Sequence, residues 1–337
     1  MVVICRPCYD LLKRRVRALA LLAFFIGYTS RSFTAHQPEN EPLSIRVGEG
    51  RTCHPQNVYI DLGANWAQTL NLHKKILTVK HKGVQKLRPH KRVPFRVFAF
   101  EASPYIAPYV EESVAYLNGE VSATQAPQLP FPDTGSSKDL ARINQESGLP
   151  CPTALDQLRK CFLARYKSKL DELAPLDYLN STYLIRDRLS IASSLKTRGK
   201  DEYVFIPAAA SSKDATVTIK QSKLGLLIGG TTTKGSEGNY AHLGDDYFPA
   251  ALVHSVNVVK WLGQHFRTCD LVVIKMDVEG AEHDIIPALV HSGAHQLVDI
   301  LAWECHEKGG SCSNLRKLLR QTKIIVLEEG RDYDGWR

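Results

Sequence analysis

The chain has 337 residues, 44% hydrophobic and 23% charged, with 43 Lys and Arg against 35 Asp and Glu for a net charge of +8. This composition excludes a disordered, collagen-like or multi-span membrane protein and leaves room for one large α/β domain with an insertion. The excess charge is local: residues 71–94 carry eight Lys and Arg and no acid, residues 1–36 carry six against Asp10 alone, and the rest is net acidic, which argues against a nucleic-acid face spread over the body.

At the N-terminus, Lys13, Arg14, Arg15 and Arg17 precede the apolar run Ala18–Tyr28, the order of a secretory leader or signal-anchor. Its eleven residues are fewer than the ~20 a spanning helix needs. A cleaved signal, an organelle transit peptide and a buried helix therefore stay open beside the anchor. The expected organisation is a cytosolic tail and signal-anchor or signal peptide over 1–30, a polar stem over 31–55, and a domain over 56–337. Such a chain would be a single-pass type II membrane protein of the Golgi or ER, or a secreted or organelle-targeted one. Cys5 and Cys8 would then be juxtamembrane acylation sites. The other six cysteines suit disulfides in an oxidising lumen, with Cys151–Cys161 and Cys305–Cys312 as the local pairs and reduced core thiols as the alternative. Asn180-Ser181-Thr182 is a glycosylation acceptor.

Further along, Asn57–Leu62 reads as an apolar strand running into Gly63-Ala64-Asn65, and Phe95–Phe100 as a second strand ending at Glu101. Between them the basic segment 71–94, with His73, His81 and His90, reads as a solvated mobile loop. Recruitment of an acidic glycan or anionic membrane is its alternative role. An insertion over 112–200 includes a predicted amphipathic helix, Ala154–Leu173, and serves either as an acceptor-binding lid or as decoration of the sheet edge. Strands are predicted at Tyr203–Ala208, Ala215–Lys220, Asp270–Asp277, Leu297–Trp303 and Lys323–Leu327. Helices are predicted at Ala251–Phe266 and Ala281–His291, the second closing at Gly293 and kinked or divided at Pro287. Apolar strands alternating with helices give an α/β fold, a mostly parallel sheet with helices on both faces.

Open α/β sheets bind ligands outside the carboxyl ends of their strands, and four segments stand there. Asp61-Leu62-Gly63-Ala64-Asn65 offers a small-residue turn for close backbone approach. Glu101 can accept hydrogen bonds from both hydroxyls of a ribose. Lys275-Met276-Asp277-Val278-Glu279-Gly280-Ala281-Glu282 carries more ionisable groups than capping needs; the helix dipole explains Glu279 or Glu282 singly but not Asp277 within the strand. Glu304-Cys305-His306 ends the next strand.

DLGAN, FEASP, IKMDVEGAEHDII and WECH, in this order and with FIPAAASSKDATVTI between, resemble the motifs of the FkbM-type methyltransferase family. The resemblance covers residues 56–110 and 200–306. It implies a class I methyltransferase (Rossmann-like) fold, S-adenosylmethionine as cofactor, and O-methylation of a sugar or natural-product hydroxyl. Trp66-Ala67 and Ala102 depart from the family pattern, and the two insertions are large. Carried over, Asp61, Gly63, Ala64 and Asn65 would line the methionine end, Glu101 the ribose, and Ala209–Ser211 the adenine. His306 and Asp277 are the candidate general bases, with Glu279 or Glu304 orienting the base or holding the acceptor. A metal on Asp277, Glu304 and His306 is conceivable but not required by the spacing, and none is expected. The implied acceptor is carbohydrate, with nucleic acid disfavoured. The alternatives are a catalytically degenerate binding protein and a 2′-O-methyltransferase of RNA using the basic loop and Lys275.

Overall fold

The structure, a computed structural model, describes residues 53–127, 166–173, 175, 182–193, 199–223, 247–307 and 310–333. All of these belong to the unit Leu43–Arg337. The N-terminal apolar segment with Cys5 and Cys8, the stem up to residue 52, Cys151 and Cys161, residues 154–165 of the predicted insertion helix, the Asn180 sequon and Trp336 lie outside the described residues.

Nine strands are described: β1 (Asn57–Leu62), β2 (Phe95–Phe100), β3 (Glu202–Ile206), β4 (Ala209–Ser211), β5 (Ala215–Ile219), β6 (Ala251–Asn257), β7 (Leu271–Met276), β8 (Ile300–Trp303) and β9 (Ile325–Glu328). The described helices are α1 (Leu72–Ile76), α2 (Ala107–Asn118), α3 (Thr182–Ser190), α4 (Val258–His265), α5 (Glu282–His291) and α6 (Cys312–Leu319). Six strands form one sheet in the order β3-β2-β1-β7-β8-β9, and every pairing in it is parallel. Counted in chain order within that sheet, this is the doubly wound order, whose switch point lies between β1 and β7.

A parallel sheet hides both faces, and these strands show it: β1, β2, β7 and β8 are buried at every position. Alternate side chains feed two cores. Val58, Ile60, Phe98, Phe100, Ile274 and Trp303 pack with Val259, Trp261 and Leu262 of α4, Ile286 and Leu289 of α5, and Leu315 of α6. Tyr59, Val97, Ala99, Val273 and Ala302 face the opposite core, where Leu72 and Ile76 of α1 and Val110 of α2 join them.

Four sequence expectations change. Ala251–Asn257 is a strand, not the first half of a helix; it pairs parallel with β4 and antiparallel with β5 in a small second sheet. The apolar residues of 251–266 satisfy a helical period, yet Ser255 is buried and donates to Lys213 O at 2.9 Å, a partner only the strand supplies. The basic segment 71–94 folds into α1 and a short 3-10 turn at Val84–Lys86, burying Leu72, His73, Ile76 and Val84 while its lysines point outward. Pro287 does not divide α5, which continues from Glu282 to His291. α2 was not predicted, although Pro108 at its start and Gly119 in the left-handed region at its end mark it. Within the insertion, residues 166–171 are helical.

Candidate active site

The parallel ladder continues one residue past the strands. Asp277 N donates to Leu62 O, Glu304 N to Met276 O and Glu101 N to Ile206 O, at 3.0, 3.0 and 3.3 Å. This sets Glu101, Asp277 and Glu304 in register along the carboxyl edge of the sheet. Between them Gly63 turns with φ +82°. Its N–H and that of Ala64 both donate to Phe100 O, at 3.1 and 2.9 Å, tying the end of β1 to the end of β2.

A cleft open to solvent lies over this edge and is lined by Gly63, Asn65, Phe100, Glu101, Ala102, Ala208, Ala209, Ala210, Asp277, Val278 and Glu279. Gly63, Asn65, Glu101, Ala209, Asp277 and Glu279 were each expected at such a site. Asp61 and Ala64 are wholly buried behind the wall rather than lining it. Asp61 accepts from Thr69 Oγ1 at 2.6 Å and faces Lys275 Nζ at 3.5 Å. Ser211 is not among the lining residues; its Oγ accepts from Lys213 N. A wider hollow between α2 and β3 is lined by Glu111, Arg188 and Asp201 among others; there Arg188 pairs with Glu111, and Asp201 with Lys74.

Glu101 is nearly buried, and both its oxygens accept backbone N–H groups: Oε2 from Asn65 at 2.8 Å and Oε1 from Ser103 at 2.7 Å. Burial pushes its pKa up to about 7 against the opposing pull of those two bonds. Asn65 is itself buried with φ 49°, and among the described residues its Oδ1 has no hydrogen-bond partner. Lys275 is buried beneath the cleft floor, donating to Gly63 O at 2.6 Å and standing 3.5 Å from Asp277. Burial works to lower its pKa, but Asp277 and Asp61 outweigh that and raise it, so Lys275 is charged.

Beside the cleft, His306 stands among carboxylates. Its Nε2 lies 3.8 Å from Asp277, 3.8 Å from Glu279 and 3.7 Å from Glu304. Nδ1 lies 3.1 Å from Glu282 Oε1, which also accepts the His306 backbone N–H at 2.6 Å. Burial alone would lower the imidazole pKa, but the Glu282 bond and the charges of Glu279 and Asp277 raise it to about 9. That shift favours the charged ring, which donates rather than accepts a proton, a form less suited to the expected role of His306 as base. Asp277, the other expected base, lines the cleft. Glu282, wholly buried, is the site residue that sequence reasoning missed: an acid in a first helical turn has an ordinary dipole role, and its partner lies 24 residues away.

Cys305 is bonded to Cys312, as expected, and Cys53 to Cys269, a pairing no local spacing suggests. Comparison of the chain with protein-family models, curated proteins and solved structures finds no match.

Proposed function

We propose that the chain is an S-adenosylmethionine-dependent O-methyltransferase acting on a hydroxyl of a glycan, glycoconjugate or related small molecule in the secretory pathway. The observation that carries this reading is the placement of Glu101: a buried acid that lines, together with Asp277, Gly63 and Asn65, one cleft at the sheet's carboxyl edge.

The residues suit the cofactor. Glu101 retains acceptor capacity for a ribose diol, with charge strengthening each bond when it is ionised. Ala208, Ala209 and Ala210 offer small apolar contacts to a base. The unpartnered Oδ1 of Asn65 is a buried acceptor, and an ammonium group would satisfy it. When bound, S-adenosylmethionine supplies an electrophilic methyl group on a sulfonium. Asp277 would accept a hydrogen bond from the acceptor hydroxyl and take its proton as the new C–O bond forms and the methyl–sulfur bond breaks, the sulfonium leaving as a neutral thioether, a contribution on the order of 10²–10⁴-fold. Alignment of acceptor and donor in the cleft supplies more, up to ~7–11 kcal/mol in well-oriented reactions.

Two further observations support parts of the reading. Cross-links at Cys53–Cys269 and Cys305–Cys312 suit an oxidising compartment. Lys275, the cation an RNA methyltransferase would present, is committed to Gly63, Asp61 and Asp277 beneath the floor. The test is calorimetry of the purified protein with S-adenosylmethionine, followed by isotope transfer to a panel of hydroxylated glycans. Binding with transfer is the expected result. Binding without transfer to any of the panel sinks the acceptor class, and no binding at all favours a degenerate, non-catalytic relative.

A further inference from the structure

We propose that Asp277, Glu304 and His306 form a binding site for a divalent metal cation beside the cleft. The sequence spacing asks for no ion; the three-dimensional grouping is what points to one. Asp277 follows β7, while Glu304 and His306 follow β8, and these three residues offer ligand atoms that all lie within 4.8 Å of one another. His306 Nε2 stands 3.8, 3.8 and 3.7 Å from oxygens of Asp277, Glu279 and Glu304. Those separations are too long for hydrogen bonds. They fit a shared ion, because two atoms each ~2.1 Å from one centre lie at most ~4.2 Å apart.

The far side of the ring gives a second observation. Glu282, wholly buried, holds Nδ1 through Oε1 at 3.1 Å, and its Oε2 is fixed by Gly280 N at 2.8 Å. A carboxylate behind an imidazole keeps a proton on Nδ1, so a metal ion that displaces the Nε2 proton meets a lone pair directed outward, the arrangement that orients metal-bound histidines. Charge agrees. Four carboxylates (Asp277, Glu279, Glu282 and Glu304) crowd one imidazole, with Lys275 beside Asp277 as a second cation, so the cluster keeps an excess of acid. One nitrogen with several carboxylate oxygens suits Mn²⁺, Mg²⁺ or Zn²⁺.

Cation binding stands independently of the proposed methyl transfer; the ion's role rests on that reading. An acceptor hydroxyl oxygen on an open coordination position would be more acidic. Its O–H bond would then give up the proton to a cleft carboxylate as the C–O bond forms and the methyl–sulfur bond of the donor breaks.

The test is Mn²⁺ titration of the intact, chelator-stripped protein, followed by electron paramagnetic resonance and calorimetry, with S-adenosylmethionine binding measured in parallel. One Mn²⁺ per chain is expected, with spin-echo modulation from a single imidazole nitrogen. Glu304→Gln, at a half-exposed position, and His306→Gln should each weaken it at least tenfold, and His306→Gln should also abolish the nitrogen signal. Glu112→Gln, on the exposed face of α2, should change nothing. A protein that binds S-adenosylmethionine but shows no saturable Mn²⁺, Mg²⁺ or Zn²⁺ binding overturns the site, as does Mn²⁺ affinity unchanged in both site variants. Ion binding without S-adenosylmethionine binding leaves the site standing and removes the methyltransferase reading.

Discussion

At Gly63 the backbone takes φ +82°, and a Cβ built there would lie 1.9 Å from the Asp277 carbonyl oxygen. That contact is with backbone, so no rotamer relieves it, and the left-handed conformation adds its own strain. Gly63→Ala should therefore cost about 2–4 kcal/mol, read as a lower thermal midpoint, and should displace Asp277 from the cleft edge. A midpoint within a degree of the parent would show that the β1 and β7 ends are not packed as described. Glu101 makes a different prediction. Its carboxyl sits near pKa 7 because burial disfavours the charge. The folded carboxyl thus holds its proton more tightly than the unfolded one, so its contribution to stability is greatest at acid pH and is lost as pH rises through about 7. Cofactor binding has the opposite sense, since the ionised form accepts from a ribose diol more strongly. Affinity for S-adenosylmethionine should rise roughly tenfold between pH 6 and pH 8, as a group titrating near 7 requires, and Glu101→Gln should flatten the profile. An equally steep profile in the variant would move the titrating group elsewhere.

The elements differ in how openly the sequence declares them. β1 and β2 are six-residue apolar runs closed by a polar turn and an acid, and they occupy the residues their composition predicts. Because the site sits at strand ends, Glu101 and Asp277 were legible for the same reason. β6 was not. Leu252, Val253, Val256, Val258, Val259, Trp261 and Leu262 satisfy a helical period across a boundary where strand becomes helix, and Asn257, whose side chain accepts Lys260 N, marks that boundary only in the structure. Pairing with β4 and β5, distant in sequence, decides the matter. His306 illustrates the same limit at the site. Its ring is governed by Glu282 across two elements, and no local pattern encodes that bond. α4 also carries the aromatic centre of one core. Trp261 meets Phe98, Phe100 and Phe266 edge-on at centroid distances of 5.1, 5.5 and 5.1 Å, and its Nε1 donates to Leu189 O at the end of α3. Trp261→Ala should cost about 3–5 kcal/mol in denaturant melts, and Trp261→Phe distinctly less. Equal losses from the two would mean that the indole bond, rather than the packed area, dominates.

At the scale of the molecule, one cross-link bears on both fold and compartment. Cys53 and Cys269 precede β1 and β7, the pair that flanks the switch point. At the same end Leu271 N donates to Gln56 O at 2.8 Å, and Gln56 N to Asp270 Oδ1 at 2.9 Å. The disulfide thus pins the opposite end of the two strands whose carboxyl ends carry Gly63 and Asp277. It also closes a sequence separation of 216 residues. In the chain-entropy account, a loop of that length stabilises the fold by up to ~5 kcal/mol, with measured values commonly about 2–4 kcal/mol. The double variant Cys53→Ala/Cys269→Ala should therefore lose about that much unfolding free energy, read as a lower midpoint in denaturant melts. The parent should shift toward the variant under reductant by the part due to this bond, the Cys305–Cys312 loop adding its own smaller share. Mass mapping of the protein from cells should recover the Cys53–Cys269 peptide pair oxidised. Free thiols at both positions, with no loss of stability in the variant, would remove the argument for an oxidising compartment while leaving the cleft and its acids where they are.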